Sequence, residues 1–316
     1  MQNAPSRLIL VLYAVVSPVL VYGYCATSVT AGIDRWGAVA LSRFVPQLVT
    51  VVGMLILIRT GPTVFAVGVL LVSTAVLGGL LPGVVARVWP GGRFALAEFR
   101  PALSFGLRGW PAGAVALLNQ RVDILLLTAL ASPSELGLYA VSTTLAAVLN
   151  AIAVAIAFPV RNRVVRGEHS VVPGISAATA ALVFLVGAGI AAALPVLIPL
   201  VLGPQFLPAR GTMLILLLAQ VPLASIVVIT QGLIGVGKPG VPLVGELLAL
   251  VTTVVLVFVW FPVFGIEGAA AANLAGNVIS LLVLIFLARR YIARVAPRRY
   301  FVVSLRALKM VRGIGS

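Results

Sequence analysis

Charge is what this sequence has least of. Only 9% of its 316 residues are charged, against about 25% in a soluble domain. Seven are acidic, and they are scattered, so no pair of carboxylates is set up for acid–base catalysis. The single cysteine, Cys25, excludes an intramolecular disulfide and any cysteine-based metal cluster. The single histidine, His169, falls in a charged loop and reads as a solvated residue. There is no G-x-x-x-x-G-K-[S/T] stretch, so no ATPase phosphate loop lies in this chain. No catalytic or metal-ligating constellation is expected, and no cofactor.

What the chain has instead is apolar surface. It is 61% hydrophobic with a mean hydropathy of +1.19. A soluble fold of this size could not bury so much, which makes this a polytopic membrane protein. A helix needs about 20 apolar residues to cross the hydrocarbon core. On that rule nine spans are expected, at 8–27, 37–58, 63–85, 110–131, 136–159, 174–201, 211–234, 241–262 and 266–288. The runs are too long for barrel strands and do not alternate as those do. The fold class is therefore all-α, with about nine transmembrane helices. Prolines inside the spans (Pro18, Pro46, Pro111, Pro195, Pro199, Pro222) are tolerated in bundles where neighbours satisfy the freed backbone groups.

The net charge of +15 does not mark a nucleic-acid binder, because the basic residues sit between apolar runs. Cytoplasmic loops carry excess Lys and Arg. With the C-terminus inside, 17 of the 22 basic residues become cytoplasmic, which fixes the expected orientation. Arg7, Arg59 and Arg210 fall outside, and Arg43 and Arg121 inside spans. An odd number of spans then puts the N-terminus outside, against the preference of Arg7. Cleavage of a signal peptide near Ala31 would leave Asp34 and Arg35 on the wrong side, so 8–27 is read as a retained helix.

The chain also repeats itself weakly in hydropathy. Laying Arg35 on Lys238 puts Gly37 on Gly240 and Arg43 on Glu246. Parallel repeats of this kind occur in transporters. If the first three spans repeat the last three, the partner of spans four to six is absent, and a complete molecule is expected to have three more N-terminal helices.

Function is expected to start in residues 104–140, SFGLRGWPAGAVALLNQRVDILLLTALASPSELGLYA. This apolar run carries Asn119, Gln120, Arg121 and Asp123, and ionisable residues inside a span seldom face lipid.

FGLRGWPAGAVALLNQRVDILLLTALASPSELGLYAVSTTL resembles the seventh and eighth helices of polysaccharide flippases in the multidrug/oligosaccharidyl-lipid/polysaccharide exporter superfamily. LVLGPQFLPARGTMLILLLAQ, QGLIGVGKPG and FGIEGAAAANLAGNVIS resemble later helices of the same proteins. The resemblance covers residues 100–288 well and 8–87 loosely. It implies two six-helix lobes around a central cavity that opens to alternate sides, here without the first three helices. The implied layout is a partial N-terminal lobe of three helices (1–88), a basic cytoplasmic linker (89–109), a six-helix lobe (110–288) and a basic cytoplasmic tail (289–316). Within the linker, 91–108 is either an amphipathic surface segment or a loop.

The resemblance further implies transport of a polyprenyl-pyrophosphate-linked oligosaccharide across the cytoplasmic membrane for surface polysaccharide assembly. Such a headgroup needs a wet, cationic route, and the planar guanidinium of arginine binds two phosphate oxygens at once. Arg121 either contacts substrate or pairs with a carboxylate elsewhere, and Arg43 either faces the cavity or snorkels to the interface. The cavity candidates are Arg121, Asp123, Gln120, Asn119, Arg43, Gln220 and Gln231. Asn150, Asn273 and Asn277 are further polar groups in or near spans, and amides of this kind bond sugar hydroxyls or join helices together. Arg43 and Glu246, at equivalent repeat positions, are the gate candidates.

The implied partners are the lipid-linked oligosaccharide, anionic lipids at the basic loops and tail, and other polysaccharide-assembly proteins. A membrane-embedded glycosyltransferase or polymerase would need larger polar loops than these. Two other readings stand beside the flippase. One is a cation-coupled small-molecule or drug exporter of the same superfamily, with Asp123 as its coupling carboxylate. The other is a non-functional truncated product.

Overall fold

The computed structural model describes residues 4–61, 63–87, 96–292 and 300. Every regular element among them is helical, and the chain divides into two units, Met1–Phe94 and Ala95–Ser316.

The first unit holds α1 (Ala4–Gly32), α2 (Trp36–Thr60) and α3 (Val64–Ala86). Lipid tails supply no hydrophobic drive between helices, so association there depends on close packing by small residues. Glycine provides it between α1 and α3. A Cβ on Gly23 would sit 2.6 Å from the Gly79 Cα, and one on Gly79 would sit 2.6 Å from the Val19 carbonyl oxygen. Large apolar residues such as Leu55, Ile58 and Phe65 stay exposed, as suits a helix whose solvent is hydrocarbon.

The second unit holds α4 (Leu96–Asn119), α5 (Val122–Leu130), α6 (Pro133–Val165), α7 (Val171–Leu197), α8 (Arg210–Gly235) and α9 (Pro242–Tyr291). A π turn (Ile198–Leu202) and a 3-10 turn (Pro204–Ala209) join α7 to α8. The S-P-S-E sequence starts α6 as a capping box. Ser132 Oγ accepts from the Glu135 backbone N–H, and Glu135 Oε2 accepts from the Ser132 N–H at 2.9 Å. The central helix is α8. Of its membrane-length window 61% is buried, against 33% for α6, the next highest. The polar side chains of α8 from Thr212 to Gln231 are buried or half-buried.

Seven helices among the described residues are long and apolar enough to cross a membrane, eight when α4 and α5 count as one bent span. At 50 residues, a straight α9 would be about 75 Å long, more than twice the ~30 Å of hydrocarbon. Its backbone breaks at Gly265 (φ 58°, ψ −140°), in a region open only to glycine without strain. The two arms, 242–264 and 266–291, run antiparallel. A Cβ on Gly276 would lie 3.0 Å from the Ala249 carbonyl, and one on Gly245 would lie 3.0 Å from Ser280 Oγ. Counted separately, the arms bring the spans among the described residues to the nine expected.

One expectation changes, and one left open narrows. The span placed at 110–131 is not one helix. It begins at Leu96, breaks after Asn119, and resumes as α5 at an angle of 42°. The part of the linker that is described, 96–109, is likewise the first half of α4, with every residue from 96 to 108 exposed. Leu, Ala, Glu and Arg favour helix there, and Pro101 falls inside it. Residues 88–95 and the tail positions 293–299 and 301–316 lie outside the described residues.

Charge sorts most of the second unit into two ends, with Arg210 at the acidic one. At one end a Cβ on Gly235 would lie 3.0 Å from the Arg161 carbonyl, and one on Gly240 would lie 2.9 Å from the Arg108 carbonyl. Lys238 and Arg290 lie 5.9 and 5.7 Å over the Tyr291 ring. Arg163 pairs with Glu168 in the adjoining turn at 2.7 Å. At the other end Glu267 packs on Gly211, and Glu135 approaches Gly265.

Candidate functional site

The site is built around the break between α4 and α5. Arg121 leaves the helical region (φ −133°, ψ −10°), and its N–H reaches back only to the Leu118 carbonyl, at 3.0 Å. Polar side chains take up the slack on both sides. Asn119 Nδ2 donates to Glu246 Oε2 at 2.7 Å and to the Glu246 carbonyl at 2.9 Å, on α9. Asp123 Oδ1 accepts from the Ile124 N–H at 2.8 Å, which satisfies one of the donors freed at the start of α5.

Asp123 is 2% exposed, and its second oxygen is also occupied. Oδ2 accepts from the Tyr139 hydroxyl at 2.7 Å and from Asn273 Nδ2 at 3.1 Å. Asn277 Nδ2 in turn donates to Asn273 Oδ1 at 3.1 Å and to the Ala219 carbonyl at 3.3 Å. One polar network thus ties α5 to α6, to the second arm of α9 and to α8. It is arranged for holding helices in place.

Beside this network lies a cavity of about 370 Å³. One face of α8 supplies Gln220, Leu223, Val227, Thr230 and Gln231, and α6 supplies Thr143, Ala147, Asn150 and Val154. These spacings follow the helical repeat, so each set shares one face. The break contributes Asn119, Gln120, Arg121 and Asp123, and α9 contributes Glu246, Asn273, Asn277 and Ser280.

Arg121 is the one basic residue lining this cavity among the described residues. It is exposed. Among the described residues no carboxylate forms an ion pair with it. Its guanidinium is thus available to a ligand.

The structure therefore brings together Asn119, Gln120, Arg121, Asp123, Gln220 and Gln231, together with Glu246. Arg43 lies elsewhere, in a cavity of about 600 Å³ inside the first unit, beside Gln47 and Thr50. Arg43 and Glu246 belong to different units. Tyr139, Thr230 and Ser280 were not singled out from the sequence as site residues. Tyr139 carries a usable signal, a tyrosine just past a capped turn that follows a span bearing a carboxylate.

A family model of polysaccharide biosynthesis proteins matches residues 1–163, from the first helix through nearly all of α6. The chain belongs to that family. The resemblance to polysaccharide flippases is upheld at the level of the family, over the loosely similar 8–87 and the first of the quoted motifs. The family match takes in the break and its Asn-Gln-Arg-Val-Asp run, while the motifs beginning at Leu200, Gln231 and Phe264 lie beyond it. No curated protein and no solved structure gives a significant match to the chain. As a family member with helices of this length and hydropathy, it is a multi-pass membrane protein of polysaccharide biosynthesis.

Proposed function

We propose that this protein moves a polyprenyl-pyrophosphate-linked oligosaccharide across the cytoplasmic membrane by alternating access, for surface polysaccharide assembly. The observation that carries the reading is the placement of Arg121. It is an unpaired guanidinium at the bend of a broken helix, facing a cavity otherwise lined by amides, hydroxyls, apolar groups and the carboxylates of Asp123 and Glu246, both of which accept hydrogen bonds from neighbouring side chains. Broken helices at such depth occur where they line a cavity. The guanidinium takes the pyrophosphate through paired hydrogen bonds, the amides meet the sugar, and the polyprenyl chain stays in lipid. The protein transports its substrate and does not transform it.

The basic end of the second unit faces the cytoplasm, and anionic lipid headgroups gather there. Glu135 and Glu267 face outward, and the C-terminus is cytoplasmic.

Deleting the gene tests the reading. Lipid-linked oligosaccharide is expected to accumulate on the cytoplasmic side, with loss of surface polysaccharide. Unchanged polysaccharide together with increased drug sensitivity would instead identify a small-molecule exporter.

A further inference from the structure

Two arginines at the basic end of the second unit turn away from the cavity. Arg163 reaches into the adjoining turn, where its Nη2 donates to Glu168 Oε2 at 2.7 Å. Arg108 lies back towards the start of α4, donating to the Ser104 carbonyl at 3.2 Å and to Ser104 Oγ at 2.8 Å. Arg161 does the opposite. Its guanidinium lies 5.8 Å over the ring of Phe158, one turn deeper into α6. Long side chains on a helix lean towards its N-terminus, and for Arg161 that direction leads inward from the basic end. An arginine at the end of a span usually snorkels outward to water. Arg161 is instead half-buried. Among the described residues no carboxylate forms an ion pair with it.

Its place on α6 continues the cavity wall. Thr143, Asn150 and Val154 line the cavity. The interval from Thr143 to Arg161 is five whole turns at 3.6 residues each, so both lie on one face. Phe158 falls on the same face, about 6 Å along the axis from Val154. All five residues are half-buried. One stripe therefore runs from the cavity to the basic end. There a Cβ on Gly235 would lie 3.0 Å from the Arg161 carbonyl, and one on Gly240 would lie 2.9 Å from the Arg108 carbonyl. Arg161 and Arg108 thus flank the turn between α8 and α9, which carries Lys238. Glu168, the acidic residue of the neighbouring turn, is held by Arg163.

We infer that Arg161 is a docking site for the pyrophosphate of the lipid-linked oligosaccharide at the basic mouth of the cavity, occupied before the headgroup reaches Arg121. This rests on the flippase reading above and adds to it the first step of the route. A guanidinium without a counter-ion takes two phosphate oxygens at once, and partial removal from water strengthens the pairing. The ring of Phe158 holds the guanidinium inward by a cation–π contact and leaves its charge in place. Arg108 and Lys238 add to the positive field that draws the anion to the mouth. From Arg161 to Val154 is about 10 Å along α6, and that passage brings the headgroup into the cavity.

The test is the initial rate of transport of a fluorescent polyprenyl-pyrophosphate glycan by the full chain in proteoliposomes, measured against lipid concentration. Arg161→Gln is expected to raise the concentration for half-maximal rate about tenfold, the equivalent of about 1.4 kcal/mol, and to leave the maximal rate within about twofold. Arg161→Lys, which keeps the charge and loses the fork, is expected to raise it about threefold. The retained maximal rate shows that a variant is folded. The same shifts are expected in vesicles of phosphatidylcholine alone and in vesicles that also contain phosphatidylglycerol. A shift that disappears in the neutral vesicles overturns the inference, because Arg161 then acts on bulk anionic lipid. An unchanged half-maximal concentration in Arg161→Gln overturns it too. A lower maximal rate at that unchanged concentration marks a merely structural role. Absence of transport by the wild-type chain overturns the flippase reading itself.

Discussion

The side-chain amide of Asn119, the last residue of α4, donates to Glu246 Oε2 at 2.7 Å and to the Glu246 carbonyl at 2.9 Å. The helix breaks immediately after this contact, and Arg121 sits in the break. The position of the cavity's one cation is therefore tied to a polar contact with the first arm of α9.

Asn119→Leu removes both bonds and leaves the Glu246 carboxylate without its donor. The expected cost is about 1–3 kcal/mol, read as a lower melting temperature in detergent. Glu246→Gln keeps an acceptor for Asn119 and is expected to cost less than Glu246→Leu. Asn119→Asp places two carboxylates in contact and is expected to be the worst of the four. A melting temperature for Asn119→Leu equal to that of the wild type would remove the contact from the account.

Asp123 is expected to act as a structural carboxylate, because Oδ1 accepts from the Ile124 N–H at the start of its own helix and Oδ2 accepts from Tyr139 and Asn273 on neighbouring helices. Tyr139→Phe deletes the hydroxyl that donates to Oδ2, and about 1–3 kcal/mol of stability is expected to go with it. Asp123→Asn retains hydrogen-bonding capacity and is expected to be milder than Asp123→Leu. A coupling carboxylate would behave differently. Asp123→Asn would then abolish transport at an unchanged melting temperature, and that pair of measurements separates the two roles.

The membrane-length helices were legible because apolar runs of that length have few other uses. The turn at Gly265 was legible too, since Pro262 and Gly265 interrupt the long apolar stretch. The break at Gln120–Arg121 was not. It contains neither glycine nor proline, and the side chain that anchors it reaches a partner 127 residues away in sequence. The early start of α4 was hidden by the basic, proline-containing composition of 96–109, which reads equally well as a loop. Among the site residues, Arg121, Gln220 and Gln231 announced themselves as long polar side chains in apolar runs. Thr230 and Ser280 gave no such signal. A helical hydroxyl usually bonds its own backbone, and only the fold shows that these two lack a partner.

Orientation is open to labelling. Cys25 is the one cysteine and is exposed, so Cys25→Ala gives a clean background. Single cysteines at positions 135 and 267 are expected to react with an impermeant thiol reagent in intact cells. Cysteines at 163 and 238 are expected to react only after the membrane is opened. Labelling at 163 but not at 267 reverses the orientation.

The central claim is that Arg121 holds the pyrophosphate of a lipid-linked oligosaccharide during transport. Translocation of a fluorescent polyprenyl-pyrophosphate glycan by the purified chain in proteoliposomes tests it most directly. The wild type is expected to move the lipid. A charge-assisted bond is worth about 1.5–3 kcal/mol, so Arg121→Gln is expected to lower transport roughly 10- to 150-fold. Arg121→Lys, which keeps the charge but loses the bidentate fork, is expected to fall between them. Transport by Arg121→Gln at the wild-type rate would contradict the account.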